Sequence, residues 1–379
     1  MNYKFFIIII ILSFTLSVNA QGILSDKNDF NRQDTLRGSI TKERIWWDLT
    51  YYHLDISVDP EKRTIYGSNE ISYHVIESYH EMQIDLQQPL ILTRAEQNGK
   101  DLEIRHDGNA HFIKLKDTQI KGENNKIKVF YEGKPRVAVR APWDGGISWE
   151  RDKNGNHFIA SSCQGLGASV WWPNKDHMYD EVEGMLMSVN VPKGLTNISN
   201  GRLVKVDEMS ESTTFHWQVV NPINNYGVNI NIGDYVNFSE IYQGENGDLD
   251  MDYYILSYNL EKAKIHFEDA VKTMQAFEYW FGPYPFYEDS FKLVETPYLG
   301  MEHQSSVTYG NKYKKGYLGR DDGFAGRVVC GRADYEGQLK KDGTPMWHCP
   351  FKFAKKFYVL KGKNGDVISS SEDKKTLKK

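Results

Sequence analysis

The chain has 379 residues, of which 40% are hydrophobic and 26% are charged, so it is long enough to bury a large core and to form two or three domains. Its net charge of -5 and its isoelectric point near 6.1 argue against nucleic acid as the main partner. Aromatic residues make up 13% of the chain, a composition that favours strands.

The first twenty residues predict a secretory signal peptide. Lys4 supplies a positive charge, residues 5–17 form an apolar run too short to span a bilayer comfortably, and Val18-Asn19-Ala20 matches a small-x-small cleavage site. Cleavage would export the mature chain to the periplasm or the extracellular space without a stable membrane span, whereas an uncleaved anchor is the alternative. Residues 21–41 are polar and lack periodicity, which indicates a flexible lead-in.

Short strands separated by turns are predicted next. Residues 51–58 alternate between apolar and polar side chains, residues 59–62 form a turn, and residues 64–75 are the return strand of a hairpin. Further strands are predicted at residues 83–86, 90–96, 111–115 and 126–132. This spacing favours a β-sandwich or an open β-sheet up to about residue 245.

A helix is predicted at residues 259–281, because apolar side chains recur there every three or four residues. Ser257 or Asn259 can cap its start, and Gly282 followed by Pro283 ends it. We expect this helix to serve packing, with no chemistry of its own, and to open a region that mixes helix and strand. The apolar positions are Ala263, Phe267, Ala270, Met274, Phe277 and Phe281.

The last part of the sequence differs from the rest in amino-acid composition. Residues 319–379 are rich in Lys and predict either a solvated basic tail or a small appended module. Cys330 and Cys349 could pair there, and with Cys163 the odd number of cysteines leaves at least one thiol free. Cys330, His348 and Cys349 are candidate metal ligands, but the adjacent His348-Cys349 is an awkward spacing and no fourth ligand is evident. A disulfide or free thiols are favoured over a metal.

Four sequence patterns occur in order along the chain. They are Leu-Asp-x-x-Val-Asp-Pro at 54–60, Val-Pro and then Ser-Asn-Gly between 191 and 201, Trp-Phe-Gly-Pro-Tyr at 280–284, and Gly-Met-Glu at 300–302. Together they resemble the aminopeptidase N family of zinc metallopeptidases over roughly residues 42–318. That family removes N-terminal residues from peptides.

The resemblance implies a fold that is mostly β and then α+β. A saddle-like β-sandwich domain is expected at residues 42–248, followed by the start of a thermolysin-like catalytic domain at residues 249–318. The tail at 319–379 lies outside the resemblance.

The resemblance also implies a substrate-binding site made of Gly300, Met301, Glu302 and Gln164. Glu302 matches the carboxylate that binds the substrate's α-ammonium group, and such a charge pair discriminates well between substrates. Gln164 matches a glutamine that holds the same end of the substrate. Taken by themselves, these two residues are an ordinary surface Glu and an ordinary loop Gln.

The sequence departs from the family at several positions. Ser169 stands where the family often has Arg, and His303-Gln304 stands where it usually has Asn and then Trp-Gly, which leaves the substrate preference open. The family's zinc site needs His-Glu-x-x-His on a helix, where two His one turn apart face the metal. After Glu302 the chain has His303 and His348, which are too far apart, and His80-Glu81 lacks the second His. We therefore predict no catalytic residues and no bound zinc.

Two explanations fit this combination. The chain is a truncated or frameshifted form of a secreted metalloaminopeptidase, inactive alone, whose substrates are peptides with a free N-terminus. Alternatively, it is a genuine short relative: a non-catalytic β-rich module that binds peptide N-termini or a protein partner.

Overall fold

The computed structural model describes residues 31–314, 358–361 and 367–371, and divides the chain into two units, Met1–Ser39 and Ile40–Lys379. The predicted signal peptide therefore lies outside the described residues. The first unit contributes helix α1 (Arg32–Gly38) within the predicted flexible lead-in. The Asn31 side chain accepts hydrogen bonds from the backbone of Gln33 and Asp34, and the Asp34 carboxylate accepts one from the backbone of Asn31. This capping box stabilises a short helix that polarity alone did not predict.

The second unit begins with a short helix, α2 (Lys42–Ile45), and an eight-stranded sheet. Strands β1 (Trp47–Asp59) and β11 (Gly184–Pro192) of this sheet run parallel, and the other neighbours run antiparallel. The predicted hairpin at residues 51–75 is confirmed as β1 and β2 (Thr64–Val75). In order across the sheet, the strands are β13 (Arg202–Glu208), β14 (Ser212–Val219), β11 (Gly184–Pro192), β1 (Trp47–Asp59), β2 (Thr64–Val75), β8 (Asn124–Gly133), β4 (Ile91–Gln97) and β5 (Lys100–Asp101).

Two smaller sheets share one apolar core with the eight-stranded sheet. Six buried indoles contribute to this core, namely those of Trp46, Trp47, Trp149, Trp171, Trp172 and Trp217. The strands of the first small sheet are β3 (Tyr79–Asp85), β7 (Ala110–Gln119) and β6 (Glu103–Asp107), in spatial order. Those of the second are β12 (Thr196–Ser199), β15 (Ile230–Gly233), β10 (His157–Ser162) and β9 (Gly146–Arg151).

A five-stranded mixed sheet with one long helix, α3 (Leu260–Phe281), follows. In spatial order its strands are β16 (Tyr235–Gly244), β17 (Gly247–Leu256), β18 (Phe291–Glu295), β20 (Val307–Tyr309) and β19 (Gly300–Met301). β16 and β17 form an antiparallel hairpin, so the predicted domain boundary at residue 248 falls within one sheet. The mixed sheet begins at Tyr235.

Helix α3 starts and ends close to the predicted positions. Neither predicted cap residue uses its side chain as a cap, because the Asn259 amide instead donates to the Glu295 carboxylate at 2.7 Å. Gly282 ends the helix with φ +87°, a conformation that favours glycine. The apolar stripe is buried as far as Met274, but Phe281 is 82% exposed. In the last turn it is Glu278 that is buried, and its carboxylate accepts hydrogen bonds from Tyr242 and Tyr287.

The described structure thus confirms the predicted fold class, mostly β and then mixed. Within the Lys-rich tail, β21 (Tyr358–Lys361) and β22 (Val367–Ser371) form an antiparallel hairpin, while Cys330, His348 and Cys349 lie outside the described residues. Of the helices described, none has the length and apolar character that crossing a membrane requires.

Candidate functional site

Strand β19 lies at the edge of the five-stranded sheet and carries Gly300 and Met301. Gly300 has φ +137°, and a Cβ at this position would lie 2.5 Å from the Thr308 carbonyl oxygen, so the close approach of the two strands requires glycine. Met301 is buried in a small apolar cluster with Ala160 and Tyr298. Gly300 and Met301 therefore form the strand that positions Glu302.

Glu302 directly follows β19 and is exposed. Tyr226 donates a hydrogen bond from its hydroxyl to Glu302 Oε1 at 2.8 Å. Burial, together with this carboxylate, raises the pKa of Tyr226, so the hydroxyl keeps its proton at neutral pH and remains a donor. Among the described residues, Tyr226 is the one hydrogen-bond partner of the Glu302 side chain. Oε2 of this exposed carboxylate accepts no hydrogen bond from the described residues.

Gln164 is exposed on a tight turn after β10, where the amides of Leu166 and Gly167 both donate to the Cys163 carbonyl. The Tyr298 hydroxyl donates to the Ser161 carbonyl at 2.8 Å, and Met301 packs in one cluster with Ala160, so the end of β10 lies beside the segment that leads to Glu302. The structure therefore brings the turn that carries Gln164 to the vicinity of Glu302. The contacts of the described residues include no direct hydrogen bond between the two side chains.

Cys163 itself is buried, and burial raises the pKa of its thiol to about 12. A thiol with such a pKa stays protonated at neutral pH and is a poor nucleophile. Cys163 therefore belongs to the core beneath the site.

Tyr226 was not predicted from the sequence. It lies in a turn-rich segment, Asn224-Asn225-Tyr226-Gly227, which indicates local structure but no chemistry. Its partner Glu302 is 76 positions away, and no local pattern reports a contact over that distance.

His303, unlike its neighbour Glu302, is buried. Its ring is fully buried, its Nδ1 accepts a hydrogen bond from Asn229 Nδ2 at 2.7 Å, and burial lowers its pKa to about 3. The ring is therefore neutral at physiological pH and carries its proton on Nε2. Its hydrogen bond to Asn229 stabilises the loop from the protein interior, and the buried ring does not contact a ligand beside Glu302.

The described residues do not fit a zinc ion. They contain no group of three or more His, Cys, Asp or Glu side chains that could hold a metal. His80, in the one His-Glu pair of the sequence, is exposed on β3, and Glu81 forms an ion pair with Arg105. No step through a metal is derived from these residues.

A cleft of about 660 Å³ shares two residues with the surroundings of β19, but Glu302, Gln164 and Tyr226 are not part of its wall. Tyr298 and Ala141 belong both to its wall and to the apolar surroundings of Met301. Its wall also carries Lys262 at the start of α3 and Lys312 beyond β20.

Comparison with known proteins gives a likeness at the level of structure. No protein-family model and no curated protein matches the chain. An M1 zinc metallopeptidase from Deinococcus radiodurans is similar, with a TM-score of 0.59 and 16% identity over 71% of this chain and 61% of that chain. A mutant M1 zinc metallopeptidase from Deinococcus radiodurans bound to a Tyr-Ser-Ala substrate is similar at a TM-score of 0.58 and 17% identity, covering 70% of this chain and 61% of that chain.

This chain therefore spans about 61% of the length of the structures it matches. At 16–17% identity the likeness concerns the fold. The described region has the mostly β fold of the N-terminal part of an M1 zinc metallopeptidase, as its sequence patterns predicted.

Proposed function

We propose that this chain is an aminopeptidase N-like protein and that Glu302 binds the free α-amine of a peptide, with Gln164 contributing to the same site. The observation that carries the proposal is the exposed Glu302 carboxylate beside an edge strand, with one oxygen bonded to Tyr226 and the other without a hydrogen bond to the described residues. An ammonium group would pair with the second oxygen through a charge-assisted hydrogen bond. The likeness to a metallopeptidase whose structure holds a tripeptide supports this proposal.

The edge position of β19 adds a second source of affinity. An extended peptide can extend a sheet by pairing with its edge strand, where main-chain hydrogen bonds give affinity and side-chain pockets give specificity. A peptide that lies along β19 would place its first residue near Glu302, which follows β19 directly. The exported location predicted from residues 1–20 belongs to the same proposal and would give the site access to peptides outside the cytoplasm.

Removal of an N-terminal residue is the second candidate, and the likeness to zinc metallopeptidases favours it. The binding proposal rests on Glu302 and its contact with Tyr226, both of which lie among the described residues. The two candidates separate in an aminoacyl reporter assay with purified chain. Turnover that requires zinc and stops with a chelator would select the peptidase.

The binding proposal predicts a preference for free amines. In calorimetry, a short peptide should bind roughly 10- to 150-fold more tightly than its N-acetylated form, because a hydrogen bond to a charged group contributes about 1.5–3 kcal/mol. Glu302→Gln should remove this preference, since the amide keeps the size of the side chain and loses its charge.

Glu132→Gln is the matched control, because Glu132 is an exposed carboxylate on β8. It should leave the preference intact. Equal binding of free and acetylated peptides to the unsubstituted chain, or a preference that survives in Glu302→Gln, would overturn the proposal.

A further inference from the structure

Every residue of the loop that carries Glu302 is hydrogen-bonded to the surrounding protein. We define the amine-site loop as residues 302–306, between β19 and β20. Each of its five residues has a hydrogen bond to a partner outside the loop. The pairs are Glu302 with Tyr226, His303 with Asn229, Gln304 with Asn200 and Pro222, Ser305 with Gly201, and Ser306 with Asn229.

Asn200 makes the most informative of these contacts. It is fully buried and follows β12 directly, within the Ser-Asn-Gly pattern at residues 199–201. Its Nδ2 donates to the Gln304 carbonyl at 2.5 Å and to the Gly227 carbonyl at 2.7 Å. Gln304 is two residues after Glu302, and Gly227 is next to Tyr226. One amide group therefore joins the segment of Glu302 to the segment of Tyr226.

Asn229 adds a second cross-link from the same side. Its backbone amide donates to Asn200 Oδ1 at 2.9 Å, and its side-chain amide donates to His303 Nδ1 at 2.7 Å and to the Ser306 carbonyl at 2.9 Å. Both asparagines are fully buried. A buried, mutually bonded pair of this kind is costly to disturb and fixes the segments it joins.

The loop needs such support because its own backbone is unusual. Ser305 has φ +54°, in the left-handed region that few residues other than glycine adopt. Backbone in this region persists where its surroundings hold it in place. The Gly201 amide donates to the Ser305 hydroxyl at 2.9 Å, and the Lys292 amide donates to the Ser305 carbonyl at 3.1 Å.

We propose that Asn200 and Asn229 are positioning residues that set the placement of the Glu302 carboxylate against Tyr226, and thereby the preference of the site for a free amine. This inference rests on the proposed amine-binding function. Neither asparagine touches the ligand; both act through the loop. A binding group must be held to within about 0.5 Å by its supporting residues to keep its specificity.

The test compares two buried asparagines. Asn200→Ala should lower the ratio of affinities for free and acetylated peptide by roughly 3- to 30-fold. Asn231→Ala is the matched control, because Asn231 is also fully buried and its amide donates to the Ile198 carbonyl in the same small sheet. It should lower the unfolding midpoint and leave the ratio unchanged, since loss of stability alone weakens both peptides together.

A double-mutant cycle measures whether Asn200 and Tyr226 are coupled in their effect on the affinity ratio. A role of Asn200 in stability alone would give no such coupling. If Asn200 acts through the Tyr226–Glu302 contact, Asn200→Ala should change the ratio less in a Tyr226→Phe background than in the unsubstituted chain. If Asn200→Ala does not fold, Asn200→Ser takes its place, since a hydroxyl cannot reach both carbonyls.

The outcomes are distinct. A ratio that Asn200→Ala or Asn200→Ser leaves unchanged, in a chain that prefers free amines, would overturn the positioning role. The absence of any preference in the unsubstituted chain would instead overturn the amine-binding function itself.

Discussion

Two adjacent residues, Glu302 and His303, have different roles: Glu302 is the proposed ligand-binding carboxylate, and His303 holds the loop through a buried contact. Glu302 is exposed beside the edge strand, while His303 is buried against Asn229. His303 was a departure from the resembled family in the sequence, and the structure gives it a specific partner inside the protein.

The buried imidazole predicts a pH dependence of stability. Burial lowers the pKa of His303 from 6.5 to about 3, so between these values the unfolded chain binds a proton that the folded chain does not. Stability must therefore fall as the pH falls below 6.5, by about 2 kcal/mol from this residue between pH 7 and pH 5. In His303→Gln, whose carbonyl can still accept from Asn229, this part of the decline should disappear.

Urea unfolding at several pH values between 7 and 5 measures the effect. His80→Gln is the control, because His80 is exposed on β3. An identical decline in His303→Gln and in the unsubstituted chain would contradict the buried neutral state of His303.

Strong periodic patterns in the sequence predicted individual strands and helices. They did not predict which other elements each one packs against. The β1–β2 hairpin and helix α3 follow from period-two and period-3.6 patterns that one stretch of chain contains by itself. The predicted boundary at 248 falls inside the β16–β17 hairpin, and the partner of β17 on its other side is β18, which begins 35 residues after β17 ends. Periodicity reports that a strand exists and does not report which sheet it joins.

The candidate site shows the same limit. Gly300, Met301 and Glu302 were predicted because they are contiguous and resemble a known motif. Tyr226 and Asn200 were not predicted as site residues, because they reach the amine-site loop only when three separate segments come together. Short polar residues in turns carry no sequence signal of that kind.

Helix α3 offers a direct test of which part of its apolar stripe matters. Phe267 is buried, with its ring 5.3 Å from Tyr253 and 5.1 Å from Tyr309, whereas Phe281 on the same stripe is largely exposed. Phe267→Ala should therefore cost about 3–5 kcal/mol of unfolding free energy. Phe281→Ala should change it by less than about 0.5 kcal/mol.

Both values come from chemical unfolding of the same background protein. Because substitution and helix are the same in both variants, helix propensity cancels between them. Similar losses in the two variants would show that Phe281 is covered in solution.

At the scale of the whole molecule, polar contacts join the five-stranded sheet to the strands before it. The carboxylate of Asp289, fully buried just before β18, accepts hydrogen bonds from the Val220 amide at 2.9 Å, the Asn221 amide at 3.1 Å and the Asn221 side chain at 2.9 Å. Buried Lys292 donates to the Gly201 carbonyl from the same side. Residues 40–379 accordingly form one unit.

These contacts predict cooperative unfolding that depends on one carboxylate. Tryptophan emission reports mainly the six buried indoles of the strand-rich core, and circular dichroism at 222 nm reports α3. Trp280→Phe, carried in every protein, removes an indole from α3 itself. The two signals should change together in the unsubstituted chain, as a two-state transition requires. Asp289→Ala leaves buried donors without an acceptor, which should cost about 3 kcal/mol or more.

In Asp289→Ala, the helical signal should be lost at a lower urea concentration than the tryptophan signal, because the five-stranded sheet loses its connection to the core. Asp59→Ala removes an exposed pair with Lys62 and should keep the two transitions coincident. If the helical and tryptophan transitions of Asp289→Ala shift to the same lower urea concentration, apolar contacts and Lys292 are sufficient to couple the five-stranded sheet to the strand-rich core. The amine site would then stay assembled until the whole unit unfolds.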